Sequence, residues 1–103
     1  MMTKSTYIER RGASLRALDV EIGRLTDYAD GASADVALNY YEAIQGMETM
    51  RDKAAKQLRK LGAVSGEEWK SAEALRDVEH EWRALRKAVL VAISAAYDDG
   101  ADS

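Results

Sequence analysis

The sequence contains no cysteine, no proline and no phenylalanine, and it has a single histidine. Without cysteine there are no disulfides, thiolate nucleophiles or thiolate metal sites, and nothing indicates an oxidising compartment. Alanine, leucine, glutamate, lysine and arginine recur throughout, a composition typical of long helices rather than of sheets. We therefore expect one all-α domain over the 103 residues, without a cofactor.

The chain also lacks a strong charge of one sign and a long hydrophobic run. Its 18 acidic and 15 basic side chains leave a net charge of -3 and are spread along the chain, which disfavours nucleic acid as a partner. The densest apolar segment, residues 88–96, is too short for a membrane span, which needs about 20 residues. Residues 1–11 contain no apolar run of the signal-peptide type. We expect a cytoplasmic protein that does not enter a membrane.

One break between helices is well marked in the sequence. Gly62 suits the left-handed position just past a helix end, because glycine has no Cβ to clash there. Ser65 and Glu68 have the spacing of a capping box, in which a hydroxyl and a carboxylate satisfy free amides at a helix start. These signals predict a turn over 62–65, a helix over about 66–97 and a frayed tail over 98–103.

An apolar stripe runs through the first sixty residues. It proceeds in steps of three or four residues from Ile8 to Leu61, with Arg11 among its positions, and its mean spacing is about 3.5 residues, the coiled-coil value. The phase continues through Gly31 without a jump, which favours one helix over about 6–61. The alternative is a break at 30–33, where glycine and capping residues cluster, giving a compact three-helix bundle.

The two alternatives differ in what covers the first part of the stripe. In the long-helix alternative the second and third parts of the chain form an antiparallel hairpin, and residues 6–29 overhang with their apolar side chains in water. Each exposed side chain would forfeit roughly 1.5 to 3 kcal/mol, so we expect a coiled-coil-like dimer. The predicted dimer interface consists of Ile8, Leu15, Leu18, Ile22 and Leu25. The three-helix alternative covers them within one chain and permits a monomer.

The hairpin itself has a predicted core and a predicted charge pattern. The basic segment 51–60 would face the acidic side chains of the last helix, which selects the register of the hairpin. The predicted hairpin core consists of Tyr40, Met47, Met50, Leu58, Leu61, Trp69, Trp82, Leu85, Val89 and Ile93.

Residues suited to chemistry are few. Asp77 and His80 have the i, i+3 spacing found in di-iron helical bundles, but they lie off the apolar face, and a site would need Glu42 or Glu48 from a second chain. We therefore predict a non-enzymatic helical interaction or scaffolding protein that acts by self-association and by packing against a partner helix. The alternative is a metal-binding, ferritin-like helical protein with a carboxylate and histidine site between subunits.

Two short motifs resemble a known group. The opening Tyr7-Ile8-Glu9 and the turn Ser65-Gly66-Glu67-Glu68-Trp69, joined by the apolar stripe, look like small bacterial coiled-coil proteins of uncharacterised function. The resemblance implies a cytoplasmic helical protein without a known activity and a continuous first helix. Gly31 departs from the group, whose members have alanine and lysine there, and this departure keeps a local bend open.

Overall fold

The structure is a computed structural model that describes residues 2–101, with side chains described as far as Asp98. Three long helices and one short 3-10 helix make up this part of the chain, and it contains no strand. The predicted all-α class is confirmed. The elements are α1 over Lys4–Asp30, α2 over Ala34–Gly62, a 3-10 helix over Gly66–Ser71, and α3 over Glu73–Ala101.

The prediction of one continuous helix over 6–61 is wrong. The backbone N–H of Gly31 donates to the carbonyls of Asp27 and Tyr28, which ends α1, and Ser33 is extended ahead of α2. The three-helix alternative placed a break at 30–33, and the loop between α1 and α2 lies there. The side chains of α1 and α2 that pack into the core each form an apolar stripe with a spacing of three or four residues. The loop between the helices is only three residues long, so this spacing continues across it in the sequence.

The connection between α2 and α3 also differs from its prediction. Ser65 makes no side-chain cap hydrogen bond, residues 66–71 form a 3-10 helix, and α3 begins only at Glu73. The left-handed conformation belongs to Gly66, with φ of 61°, whereas Gly62 remains helical. The buried side chain of Trp69 anchors this segment to the core, and the tighter 3-10 geometry is common in such short connectors.

Both ends of the chain extend further into helix than predicted. The first helix begins at Lys4 rather than at about residue 6, and Thr3 caps it, because the Thr3 hydroxyl oxygen accepts from the Thr6 amide at 3.1 Å. At the other end α3 continues to Ala101, so the predicted frayed tail over 98–103 is helical as far as that residue. Residues 102 and 103 lie outside the described residues.

The three helices pack around one core, and together they form an elongated body with principal-axis extents of 54 by 22 by 16 Å. Short connections make α2 antiparallel to both neighbours and set α1 parallel to α3. The most extensive contact is between α2 and α3, followed by α1 with α2 and then α1 with α3. The side chains with no exposed surface are Ala54, Leu61, Val78, Leu85 and Val89.

The predicted dimer interface lies inside the chain, which is a correction. Leu15, Ile22 and Leu25 are buried, and Ile8 and Leu18 are partly buried against the same core. The break at Gly31 folds α1 back along α2, so this chain covers the side chains that a long helix would have left in water. The reason for expecting a dimer through α1 therefore no longer holds.

The predicted hairpin core residues lie in or beside the core. Tyr40, Met47, Leu58, Leu61, Trp69, Leu85 and Val89 are buried, and Met50, Trp82 and Ile93 are partly buried.

The basic segment 51–60 forms a different contact from the one predicted. Arg51, which belongs to this segment, forms an ion pair with Asp19 on α1. The predicted partners were the acidic side chains of α3. The break places α1 beside this part of α2, which supplies the carboxylate.

Candidate functional site

A polar cluster joins α1 to α3 near their N-terminal ends. The Arg11 guanidinium pairs with the Glu79 carboxylate at 2.8 Å, and the Tyr7 hydroxyl donates to the same carboxylate at 2.7 Å. The guanidinium carbon lies 3.8 Å from the ring centroid of Trp82, a distance typical of a strong cation–π contact. The Tyr7 ring also contacts Trp69, with ring centroids 5.8 Å apart. The Glu79 carboxylate and the rings of Tyr7 and Trp82 thus surround Arg11 between α1 and α3.

The polar groups of this cluster are engaged with one another. Burial, followed by the hydrogen bond to Glu79, raises the pKa of Tyr7 to about 12, so the phenol stays protonated at neutral pH. The Glu79 carboxylate is occupied by the Arg11 cation and the Tyr7 hydroxyl. The Arg11 Nε and Trp82 Nε1 atoms are buried without a hydrogen-bond partner in the described part of the chain. We assign the cluster a positioning role, because it fixes α1 against α3.

Sequence reasoning identified only half of this cluster. Arg11 lies on the predicted apolar stripe, but Glu79 is one of the acidic side chains of the last helix that were expected to face the basic segment 51–60. The available signal was Arg11 itself, because a cation at a buried stripe position requires a carboxylate partner. The partner could not be identified while α1 was expected to overhang, away from α3.

The residues of the metal-binding alternative lie apart from this cluster. His80 is exposed on α3, as predicted, and Asp77 is partly exposed. Within residues 2–98, no group of three His, Asp or Glu side chains is arranged to hold a metal ion. The alternative required glutamates from a second chain, and that arrangement stays a prediction.

A second feature is an open apolar groove between α2 and α3, with a volume of about 850 Å³. Tyr40 and Met47 form part of its floor and are buried, whereas Val91 stands on one wall with 62% of its surface exposed. We call it the α2–α3 groove. Its lining is Val36, Asn39, Tyr40, Ala43, Gly46, Met47, Met50, Ala84, Lys87, Ala88, Val91, Ala92 and Ala95.

The groove has the spacing of a helix-packing seam. On α2, the positions 39, 43, 46 and 50 follow one another in steps of four, three and four residues, and on α3 the positions 84, 88, 91 and 95 do the same. That spacing is the coiled-coil repeat. Five of these eight side chains are alanine or glycine, which allow another helix to approach closely. Each helix thus carries one seam for its neighbour in the chain and a second seam that lines the groove.

The fold and the groove define a small three-helix protein with an open apolar face. The chain matches no protein-family model, no curated protein and no solved structure with which it was compared. None of the described helices combines the length and the apolar character that a membrane span requires. The resemblance to bacterial coiled-coil proteins stays a prediction.

Proposed function

We propose that this chain is a non-enzymatic helical interaction protein, and that it acts by accepting the apolar side of another helix in the α2–α3 groove. The observation that carries the proposal is Val91. It is 62% exposed on the wall of a mostly apolar groove, whereas Val89, two residues earlier, has no exposed surface. A partner helix would remove the Val91 side chain from water, which favours association by the hydrophobic effect.

The dimensions of the groove support a helix as its occupant. It extends along α2 from Val36 to Met50, about 21 Å at 1.5 Å per residue, or four turns of a partner helix. Alanine and glycine on both walls permit the interaxial distances of 8 to 10 Å that helix pairs adopt. A helix placed there completes a four-helix arrangement, in which α2 and α3 each contact two neighbours in the groove region.

Two glycines provide a matched test of this proposal. Gly46 lies on the groove wall and Gly23 lies on α1 away from the groove. Both are exposed, and a side chain added at either meets no other atom within 4 Å. We expect a photo-cross-linking amino acid at position 46, but not at position 23, to form a specific product in cells of the native host. Mass spectrometry of that product should identify one chain, joined through an apolar helical segment.

The Val91→Glu substitution is the control for this experiment. It should abolish the product from position 46, because a charge on the groove wall loses its hydration when a helix covers it. Identical products from positions 46 and 23, or a product from position 46 that survives Val91→Glu, would contradict the proposed use of the groove.

A further inference from the structure

We infer that the occupant of the α2–α3 groove is a second copy of this chain, and that the two α3 helices pair antiparallel across a two-fold axis. The inference rests on the proposed function and names the partner for the same surface. It concerns the C-terminal half of α3, where Val91 lines the groove with 62% of its surface exposed. A self-complementary patch is what a two-fold dimer requires, because the same residues meet from both sides.

The charges beside the groove indicate the direction of pairing. Lys87 lines the groove, and Asp98 follows it by eleven residues, close to three turns, so the two lie on nearly the same side of α3. Both side chains are exposed. In a two-fold antiparallel pair, Lys87 of each copy would lie opposite Asp98 of the other copy. A parallel pair would instead place the two lysines together and the two aspartates together, which is unfavourable.

This register is compatible with the packing along α3. Its midpoint falls between Ala92 and Ile93, so Ala88, Val91 and Ala95 lie along the pairing seam. The alanines permit close approach of the two helices, and Val91 supplies the largest apolar contact near the axis. The α2 helix of each copy then borders the pair through Ala43 and Gly46, which also line the groove. The ion pairs fix the register, and the apolar seam provides the association.

A charge exchange tests this arrangement directly by sedimentation equilibrium of the purified protein. We expect the wild type to form a dimer, and Lys87→Asp or Asp98→Lys alone to weaken dimerisation about 10-fold, because each creates two like-charge contacts in place of two ion pairs. An equal mixture of the two variants should recover the wild-type affinity, because only a dimer with one copy of each variant pairs opposite charges at both sites. Lys56→Asp, an exposed change on α2 outside the groove lining, should leave dimerisation unchanged.

The possible failures are distinguishable. A wild type that stays monomeric up to about 100 µM, or a dimer that neither the charge variants nor Val91→Glu weakens, would overturn the inference. A monomeric wild type together with a groove-specific cross-link from position 46 to a different chain would overturn the second copy alone and leave the proposed function standing. Unchanged helical signal in circular dichroism for each variant ensures that a loss of dimer is not a loss of fold.

Discussion

The contact between α1 and α3 contains a closed cluster of polar groups, whereas the groove between α2 and α3 is open and mostly apolar. At the first, a guanidinium, a carboxylate and a phenol are held together, with Arg11 and Glu79 exposed by only 17% and 28% of their side chains. At the second, small apolar residues leave a groove of about 850 Å³ with Val91 exposed at its wall. The polar contact joins α1 to α3, whereas the apolar groove is the surface to which the proposed function assigns a partner.

The sharpest way to separate folding from interaction is to introduce the same residue, glutamate, at two positions on opposite sides of α3, in two separate variants. Val89→Glu places an unpaired carboxylate at a site with no exposed surface, and we expect a loss of several kcal/mol, enough to unfold a domain of this size. Val91→Glu should leave the melting temperature nearly unchanged. Thermal denaturation followed by circular dichroism checks both. Equal destabilisation by the two changes would show that Val91 belongs to the core.

The polar cluster should contribute the next largest effect. Arg11→Met removes the cation that balances the Glu79 carboxylate, and we expect a loss of about 2 kcal/mol in the free energy of unfolding, because the carboxylate remains partly buried without its partner. Arg51→Met is the matched control. It breaks a more exposed pair with Asp19 and should cost less than about 1 kcal/mol. Urea denaturation measures both changes, and equal losses would contradict a special role for Arg11.

The raised pKa of Tyr7 predicts a pH dependence at the alkaline end. Its folded-state value of about 12 lies above the ordinary value of 10.0, so the stabilisation is complete below pH 10 and is lost as the pH rises through 12. We expect a decline of about 1 to 2 kcal/mol over that range. Tyr7→Phe should flatten this part of the curve while losing about 1 kcal/mol at neutral pH through the missing hydrogen bond. An unchanged alkaline decline in Tyr7→Phe would assign it to other groups.

The smallest predicted effect again uses the two open glycines. Gly23→Ala and Gly46→Ala should each stabilise the fold by about 0.5 to 1 kcal/mol, because alanine has the higher helix propensity and meets no atom within 4 Å at either position. Only Gly46→Ala should also alter association, because only position 46 lines the groove. Sedimentation equilibrium of the two variants distinguishes them, and a change in association with Gly23→Ala would point to α1 as the contact surface.

The helical class and the apolar positions were accessible from the sequence because they follow from composition and spacing. The break between α1 and α2 was not, since the three-residue loop at 31–33 preserves the apolar phase while reversing the chain. That one reversal moved Leu15, Ile22 and Leu25 from a predicted dimer interface into the core. A local pattern records which side of a helix is apolar, but not which element covers it.

The same limit applies to the two candidate sites. Arg11 stood out as a cation on the apolar stripe, yet its partner Glu79 is 68 residues away along the chain and depends on the register of α1 against α3. Ala88 and Val91 belong to the dense apolar segment 88–96, and nothing in the sequence singles out Gly46. The groove exists because they are on the side of α2 and α3 that α1 leaves uncovered, which is a property of the three-helix arrangement.

The most direct measurement compares the self-association of Val91→Glu with that of Leu38→Glu. Both replace an exposed apolar side chain on a helix, with exposed fractions of 62% and 60%, but only Val91 lines the α2–α3 groove. We predict that sedimentation equilibrium finds a dimer for Leu38→Glu, as for the wild type, and a folded monomer for Val91→Glu. Dimers of equal affinity for the two variants would contradict the assignment of the groove as the surface through which this chain pairs with a second copy.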